Sequence, residues 1–177
     1  MKLFGITGHS GMGKTTLLER LVPELVRRGL RVSLMKHSHK AIDIDRPGKD
    51  SYRLREAGCS EVLLLGASRW ALMHELRSDR EPGFDELLPR LAPCDLVLVE
   101  GFKGGDFPKL EVWRAALQRP PLWGRWPGIV AVATDDAADL ALPEPPHGPP
   151  RLALHETSGI ADFVLAHALD GQAACGG

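Results

Sequence analysis

The sequence predicts an α/β layered domain built on a parallel sheet, and two observations predict it. Short apolar runs recur along the chain without polar alternation, and each is followed by a turn or a helical pattern. Such runs are typical of strands that are buried on both faces, as the strands of parallel sheets are. Repeated strand–helix–strand units in turn imply right-handed parallel crossovers, which give a layered α/β domain.

The predicted strands are the apolar runs at residues 3–6, 32–35, 62–65, 96–99 and 129–133. A helix is predicted over residues 14–28, because its leucines and valines fall on one stripe at helical spacing. Gly29 follows as its C-terminal cap. Pro23 removes one hydrogen-bond donor inside this helix, so we expect a kink or a local break there.

Three more helices are predicted over residues 50–57, 84–91 and 158–169, while residues 70–76 alternate like a strand. Two proline-rich stretches, at residues 119–127 (RPPLWGRWP) and 143–150 (PEPPHGPP), can form neither a helix nor a central strand. Each is either a stiff surface connection or a docking loop, because exposed tryptophan and proline favour interfaces.

Length and composition narrow the class of protein. The 177 residues predict a single domain, and 22 Lys and Arg against 23 Asp and Glu give a net charge of -1. Without a basic excess, no nucleic-acid partner is expected. Three dispersed cysteines without a CxxC pair argue against a disulfide framework or a structural zinc site. With no signal peptide and no membrane-length apolar run, we expect a cytoplasmic protein.

The most specific motif lies between the first predicted strand and the first predicted helix. It matches G-x-x-x-x-G-K-[ST] in full and consists of Gly8, His9, Ser10, Gly11, Met12, Gly13, Lys14 and Thr15, followed directly by Thr16. Backbone N–H groups of such a loop point inward at a polyphosphate, and the helix N-terminus adds partial positive charge. Lys14 would meet the β and γ phosphates, and the Thr15 hydroxyl would ligate Mg²⁺.

A second acid for Mg²⁺ should end a neighbouring buried strand, because α/β sheets bind ligands at the carboxyl ends of their strands. Glu100 ends the apolar run that Asp95 begins. We therefore assign Glu100 to the metal, through water, and expect Asp95 to cap the strand at the far edge of the sheet.

Further charged residues follow the same strand ends. Lys36, Lys49, Lys103 and Lys109 are predicted to meet at one rim as additional anion sites. His37 and His39 either hydrogen-bond to phosphate, cap the chain or bind a metal, although no third ligand is evident. Asp45 is interpreted as an outer-sphere Mg²⁺ ligand or a base that orients water, whereas Asp43 is interpreted as a solvated turn acid.

Asp135 follows the last strong strand and is a candidate for reading the base. A carboxylate there can accept hydrogen bonds from N1–H and the exocyclic amine of guanine, which adenine does not offer. The alternative is a plain turn acid. If the base is read in this way, the nucleotide is GTP.

Three blocks together resemble a known family: GHSGMGKTTL, KHSHKAIDIDRPGKDSYRLREAGC and DLVLVEGFKGGDFPKLEV. They are similar to the molybdopterin-guanine dinucleotide biosynthesis adapter proteins (MobB), over about residues 1–135. The resemblance implies a three-layer α/β/α P-loop NTPase fold with a mostly parallel central sheet and an added β-element. It also implies GTP binding with weak hydrolysis, a homodimer, and the guanylyltransferase of molybdenum cofactor synthesis as partner, with molybdopterin or a molybdoenzyme as further candidates.

The resemblance also maps onto individual residues. The phosphate-loop roles fall on Gly8 to Thr16, and the other blocks fall on Lys36, His37, His39, Asp45, Gly48, Lys49, Asp50, Ser51, Glu100, Gly101, Phe102, Lys103 and Lys109. The chain departs from the family where Lys40 replaces a common histidine and Cys59 a common alanine. The proline-rich C-terminal third matches nothing in the pattern.

Two other functions stay open. A small-molecule kinase of the same fold would need an arginine-bearing lid, for which Arg69, Arg77, Arg80 and Arg90 are candidates. A metallochaperone-type GTPase would need a convergent site, for which Cys59 and the histidine pair are the candidates. Because no arginine is placed as a catalytic finger, intrinsic hydrolysis is expected to be slow.

Overall fold

A computed structural model describes residues 1–38, 42, 44–135 and 148–171. The chain divides into two compact units, the first formed by Met1–His37 with Phe84–Gly177 and the second by Ser38–Gly83. The expectation of a single domain stays a prediction. The described strands are β1 Lys2–Thr7, β2 Val32–Lys36, β3 Glu61–Leu65, β4 Trp70–His74, β5 Leu96–Glu100, β6 Lys109–Val112, β7 Ile129–Thr134, β8 Arg151–Ala153 and β9 Leu169–Asp170. The helices are α1 Lys14–Arg27, α2 Asp50–Glu56, α3 Phe84–Leu87 and α4 Thr157–His167, with 3₁₀ turns at Leu88–Arg90 and Ala115–Leu117.

The first unit contains the predicted parallel sheet. Its strands are ordered β2-β5-β1-β6-β7-β8, and the short β9 pairs antiparallel with β1. Ile6 and Lys36 both lie opposite Glu100, and Val112 lies opposite Ala133. The carboxyl ends of the neighbouring strands therefore meet at one edge of the sheet, where the sequence predicts the site.

Residues of β5 alternate between two hydrophobic clusters, which confirms the layered α/β prediction. Leu96 and Leu98 pack in a cluster with residues of α1 and α4. Val97 and Val99 pack in the other cluster with Leu88 of the 3₁₀ turn that follows α3. All five residues of β5 are buried, as expected for a strand covered by helices on both faces.

Helix α1 runs through Pro23 as one helix, so the predicted break is absent. Leu17, Leu21 and Leu25 of this helix are fully buried. Burial of one continuous apolar stripe outweighs the single backbone hydrogen bond that proline removes. The helix closes as predicted at Gly29, whose φ is 85°.

In the second unit, the expectation that the run at residues 62–65 belongs to the parallel sheet is wrong. The run at residues 62–65 does form a strand, β3, but it pairs antiparallel with β4 in a separate hairpin. The alternation at 70–76 is confirmed as β4. Leu65 is 80% exposed, so an unbroken apolar run here does not mark burial on both faces.

Three strands of the first unit were not predicted. Strand β6 escapes because Lys109 and Glu111 interrupt its apolar pattern, and β8 and β9 are three and two residues long. Residues 119–127 form neither a helix nor a strand, as predicted, whereas 143–147 of the second proline-rich stretch lie outside the described residues. None of the described helices has the length and apolar character needed to cross a membrane.

Candidate functional site

The glycine-rich loop joins the central strand β1 to helix α1, as the motif predicts. Gly8, the first loop residue, has a φ of 139°, and a Cβ atom there would collide with the carbonyl oxygen of Val112. Only glycine allows this close approach to β6. The Met12 side chain is fully buried in the core, so this residue can offer a ligand no more than its backbone. Ser10, Thr15 and Thr16 are exposed.

Lys14 lies across the loop that precedes it. Its ammonium donates to the carbonyl oxygens of Gly8 at 3.0 Å and His9 at 3.1 Å. Burial lowers the pKa of Lys14, the Glu100 carboxylate opposes that change, and Lys103 and Lys36 add to it. These influences place Lys14, Lys36, Lys103 and Glu100 in one group, which we call the charged cluster.

Glu100 ends β5 inside this cluster. Its side chain is 9% exposed, and its carboxylate pairs with the Lys36 ammonium at 3.0 Å. Asp95, at the start of the same strand, accepts a hydrogen bond from the Arg31 backbone N–H at 2.7 Å. The two acids therefore lie at opposite ends of β5, and Glu100 is the one at the phosphate-loop end.

The residues after β2 and β5 interlock. The His37 backbone N–H donates to the Glu100 carbonyl at 2.8 Å, and the ring centroids of His37 and Phe102 are 5.0 Å apart. Gly101 has a φ of 105°, and a Cβ atom there would lie 2.8 Å from the His37 carbonyl oxygen. His37 after β2 and the segment 100–102 at the end of β5 thus pack against each other beside the phosphate loop.

Lys109 is placed differently from the other lysines. It is 1% exposed, and its ammonium donates to the carbonyl oxygens of Gly105, Phe107 and Pro127. Burial lowers the pKa of this ammonium. The structure gives Lys109 a position that joins two loops, where protein carbonyls take up its donors, and its predicted part in the anion rim stays a prediction.

Two residues without a predicted role lie close to the site. Arg114 borders the phosphate loop, and Glu111 binds the proline-rich loop at residues 119–127. One is Arg114, which follows β6: its guanidinium pairs with Asp135 at 3.2 Å. A Cβ atom built on Gly13 would lie 3.3 Å from Arg114 Nη2. Arg114 would have been predictable once β6 was known, because it follows by two residues the end of a strand at the phosphate-loop edge of the sheet.

The other is Glu111, which holds the loop at residues 119–127. Its buried carboxylate accepts hydrogen bonds from the backbone N–H groups of Leu122 at 2.7 Å and Trp123 at 3.0 Å. Burial raises the pKa of Glu111, and these two hydrogen bonds oppose that change. His9 Nε2 donates to the Pro120 carbonyl at 2.9 Å. The proline-rich loop is thereby tied directly to the phosphate loop.

The remaining candidate residues belong to the second unit. Asp45 is 4% exposed at its side chain and pairs with Arg55 at 3.0 Å, and Arg55 also pairs with Glu75 at 2.9 Å. Lys49 is exposed and directly precedes α2. His39 lies outside the described residues. Across the described part of the chain, no group of three or more His, Cys, Asp or Glu side chains is arranged to hold a metal ion.

A glycine-rich loop between the central parallel strand and a helix, with a lysine across it and an acid at the next strand end, defines a P-loop nucleotide-binding fold. Comparison with known proteins narrows this class. The family model described as molybdopterin guanine dinucleotide synthesis protein B (MobB) matches residues 3–135. The chain belongs to this family, as its motifs predicted.

Named relatives agree with the family model. The chain is 48% identical over 165 residues to the molybdopterin-guanine dinucleotide biosynthesis adapter protein of Haemophilus influenzae, covering 92% of this chain and 86% of that protein. It is 39% identical over 168 residues to the Escherichia coli adapter protein, covering 92% and 91%.

Solved structures show the same fold. The structure of Bacillus subtilis MobB superposes with a TM-score of 0.73 at 23% identity, covering 97% of this chain and 99% of that one. A crystal structure of molybdopterin-guanine biosynthesis protein B superposes with a TM-score of 0.65 at 25% identity, covering 93% and 98%.

Proposed function

We propose that this chain is a GTP-binding adapter protein of molybdopterin guanine dinucleotide biosynthesis that works in the cytoplasm. The observation that carries the proposal is the charged cluster, in which Lys14, Lys36 and Lys103 gather around the phosphate loop. Lys14 begins helix α1, and two further cations that act on it from the ends of neighbouring strands suit a polyphosphate rather than a neutral ligand. The names of the relatives supply the pathway.

Binding of the triphosphate would use the loop backbone and the charged cluster. The ammonium of Lys14 would exchange the carbonyls of Gly8 and His9 for phosphate oxygens, which are stronger partners because they carry full charge. Lys36 ends β2 at the same edge and His37 follows it, and both would bind outer oxygens. Lys49 is proposed as a further anion contact.

The donor set at the strand ends fits Mg²⁺. The Thr15 hydroxyl and the Glu100 carboxylate are hard oxygen donors of the kind this ion prefers. The ion, when bound, would supply charge neutralisation to the phosphates. Glu100 would help to hold it in place of its present Lys36 partner, and Lys36 would then be free for phosphate. Asp45 is proposed to orient water or to act from the outer sphere, a role that requires its release from Arg55.

Base choice and hydrolysis complete the nucleotide proposal. One oxygen of the Asp135 carboxylate pairs with Arg114, and the half-exposed carboxylate can also accept from guanine. GTP would therefore bind more tightly than ATP. Hydrolysis would be weak, so that nucleotide occupancy rather than turnover would serve the adapter role.

Adapter function requires a partner enzyme, for which we propose the molybdenum cofactor guanylyltransferase. Molybdopterin or the receiving molybdoenzyme are further candidates. Isothermal titration with GTP and ATP, each with and without the guanylyltransferase, tests base choice and partnership together. Equal affinity for GTP and ATP would contradict guanine recognition. The absence of a binding heat when the guanylyltransferase is present would contradict this choice of partner.

We also propose a homodimer. One face of the β3–β4 hairpin carries Leu63, Leu65, Trp70 and Leu72, all strongly exposed, and apolar surface of this kind favours association. Glu61 and His74 pair with each other on the same face, which leaves the apolar residues as the basis of a self-complementary two-fold contact. Sedimentation of Leu65→Asp should give monomers where the wild type gives dimers, and an unchanged dimer would place the contact elsewhere.

A further inference from the structure

We propose that Arg114 is a phosphate-binding residue of the nucleotide site, supplied by the same chain that carries the phosphate loop. This role rests on the proposed nucleotide binding. Lys36 ends β2 and Lys103 follows β5, both on one side of β1, and Arg114 would add a cation after β6, on the other side of β1. The ligand chemistry is a polyphosphate group, whichever base it carries.

Proximity to the loop is the first support. Gly13 is the N-terminal cap of α1, and its Cβ position lies 3.3 Å from Nη2 and 3.7 Å from Cζ of Arg114. The guanidinium therefore borders the segment whose amides would face the ligand. Its side chain is 37% exposed, so a bound anion can reach it.

The hydrogen-bond inventory of the guanidinium is the second support. Arginine has five N–H donors in a planar fork that matches phosphate oxygens in pairs. One nitrogen, Nη1, is engaged by Asp135. Nε is buried and has no hydrogen-bond partner among the described residues. Because Asp135 engages only Nη1 of Arg114, the guanidinium keeps further N–H donors for a bound phosphate.

Asp135 then acts as a positioning residue for Arg114. A flexible side chain loses rotamer freedom when it binds, and a pre-formed contact on the protein removes part of that cost. The Asp135 carboxylate holds the fork beside Gly13 before a ligand arrives. Substitution of Asp135 should consequently weaken every polyphosphate ligand, in addition to any effect on guanine.

Titration calorimetry at fixed salt with GTP, ATP and inorganic tripolyphosphate tests this role. In Arg114→Ala, affinity for all three ligands should fall by a common factor of about 10 to 100, as expected when a charge-assisted hydrogen bond is lost. Arg114→Lys should lose less, because charge is kept without the fork geometry. Arg125→Ala, which removes an exposed arginine from the neighbouring loop, is the matched control and should bind normally.

Several outcomes would overturn the proposal. Unchanged affinity in Arg114→Ala would do so, and so would a loss confined to GTP, which would mean that Arg114 serves the base through Asp135. If Arg114→Ala does not fold, Arg114→Gln keeps the length of the side chain without its charge, and wild-type affinity in that variant would overturn the proposal equally. If the wild-type chain binds no polyphosphate, the proposed nucleotide binding is itself wrong. If the wild type binds and the Arg114 variants bind equally well, only the role of Arg114 is wrong.

Discussion

Lys14 is partly buried and Lys109 is fully buried, and both hydrogen-bond to backbone carbonyls, yet their surroundings differ. Lys14 lies in the charged cluster, next to Glu100, Lys103 and Lys36. Lys109 sits at the start of β6 with carbonyls of two loops around it, and the nearby charge that acts on it comes from Asp106. A lysine among other cations is suited to exchange its partners for an anion, whereas one enclosed by carbonyls is suited to hold loops together.

The largest expected effect separates the two lysines by function. Lys14→Ala should abolish GTP binding while the fold survives, because the ammonium is the full charge nearest the phosphates. GTP at about 100 times its Kd adds about 2.7 kcal/mol to the stability of a binding protein. Thermal melting with and without GTP should show a shift in the wild type and none in the variant. An undiminished shift would exclude Lys14 from the site.

The converse effect is expected at Lys109. Lys109→Met should lower the free energy of unfolding by about 1–3 kcal/mol, because buried carbonyl oxygens lose their donor. GTP affinity of the folded fraction should stay near that of the wild type. Urea unfolding together with calorimetry measures both quantities. A stable variant with lost GTP affinity would mean that Lys109 belongs to the anion site after all.

A smaller effect compares the two acids of β5. Glu100→Gln should raise the Mg²⁺ concentration needed for GTP binding, since a neutral amide is a poorer ligand for this ion. Asp95→Asn, at the far edge of the sheet, should leave the Mg²⁺ requirement unchanged. Titration of GTP binding against Mg²⁺ distinguishes them, and the reverse order would assign the metal to the other acid.

The smallest effect is a pH dependence at Lys14. Burial lowers the pKa of Lys14 in the free protein, and bound phosphates would raise it again. Above the lowered pKa the free protein has lost this proton, so GTP binding must take it up and affinity should fall as pH rises. As the pH is raised toward the usual lysine pKa of about 10.4, the binding enthalpy should come to differ between two buffers with different ionisation enthalpies. Identical enthalpies would show that no proton is taken up.

Local patterns predicted much of the site. The phosphate loop is contiguous in sequence, and Glu100 follows from the rule that ligands meet strand ends. Arg114 and Glu111 were missed because their contacts with Gly13 and with Leu122 and Trp123 depend on the packing of β6 and on a loop return. The role of Lys109 was missed for the same reason, since its carbonyl partners include Pro127 from a distant loop.

Prediction of the fold from local sequence patterns is limited in the same way, because packing depends on residues distant in sequence. The parallel sheet was predicted from apolar runs, yet an equally apolar run at β3 became one strand of an exposed hairpin. Burial of a run depends on what covers it, and local composition does not contain that information. Helix α1 survived Pro23 because its leucines are buried by residues far away in sequence.

The backbone of residues 8–16 is proposed to surround a polyphosphate. Backbone amide chemical shifts, recorded by NMR while GTP and Mg²⁺ are added, test it most directly. Large, saturable shifts are expected for amides from Gly8 to Thr16, with little change at Lys109. Unmoved loop amides in a chain that nevertheless binds GTP would contradict it.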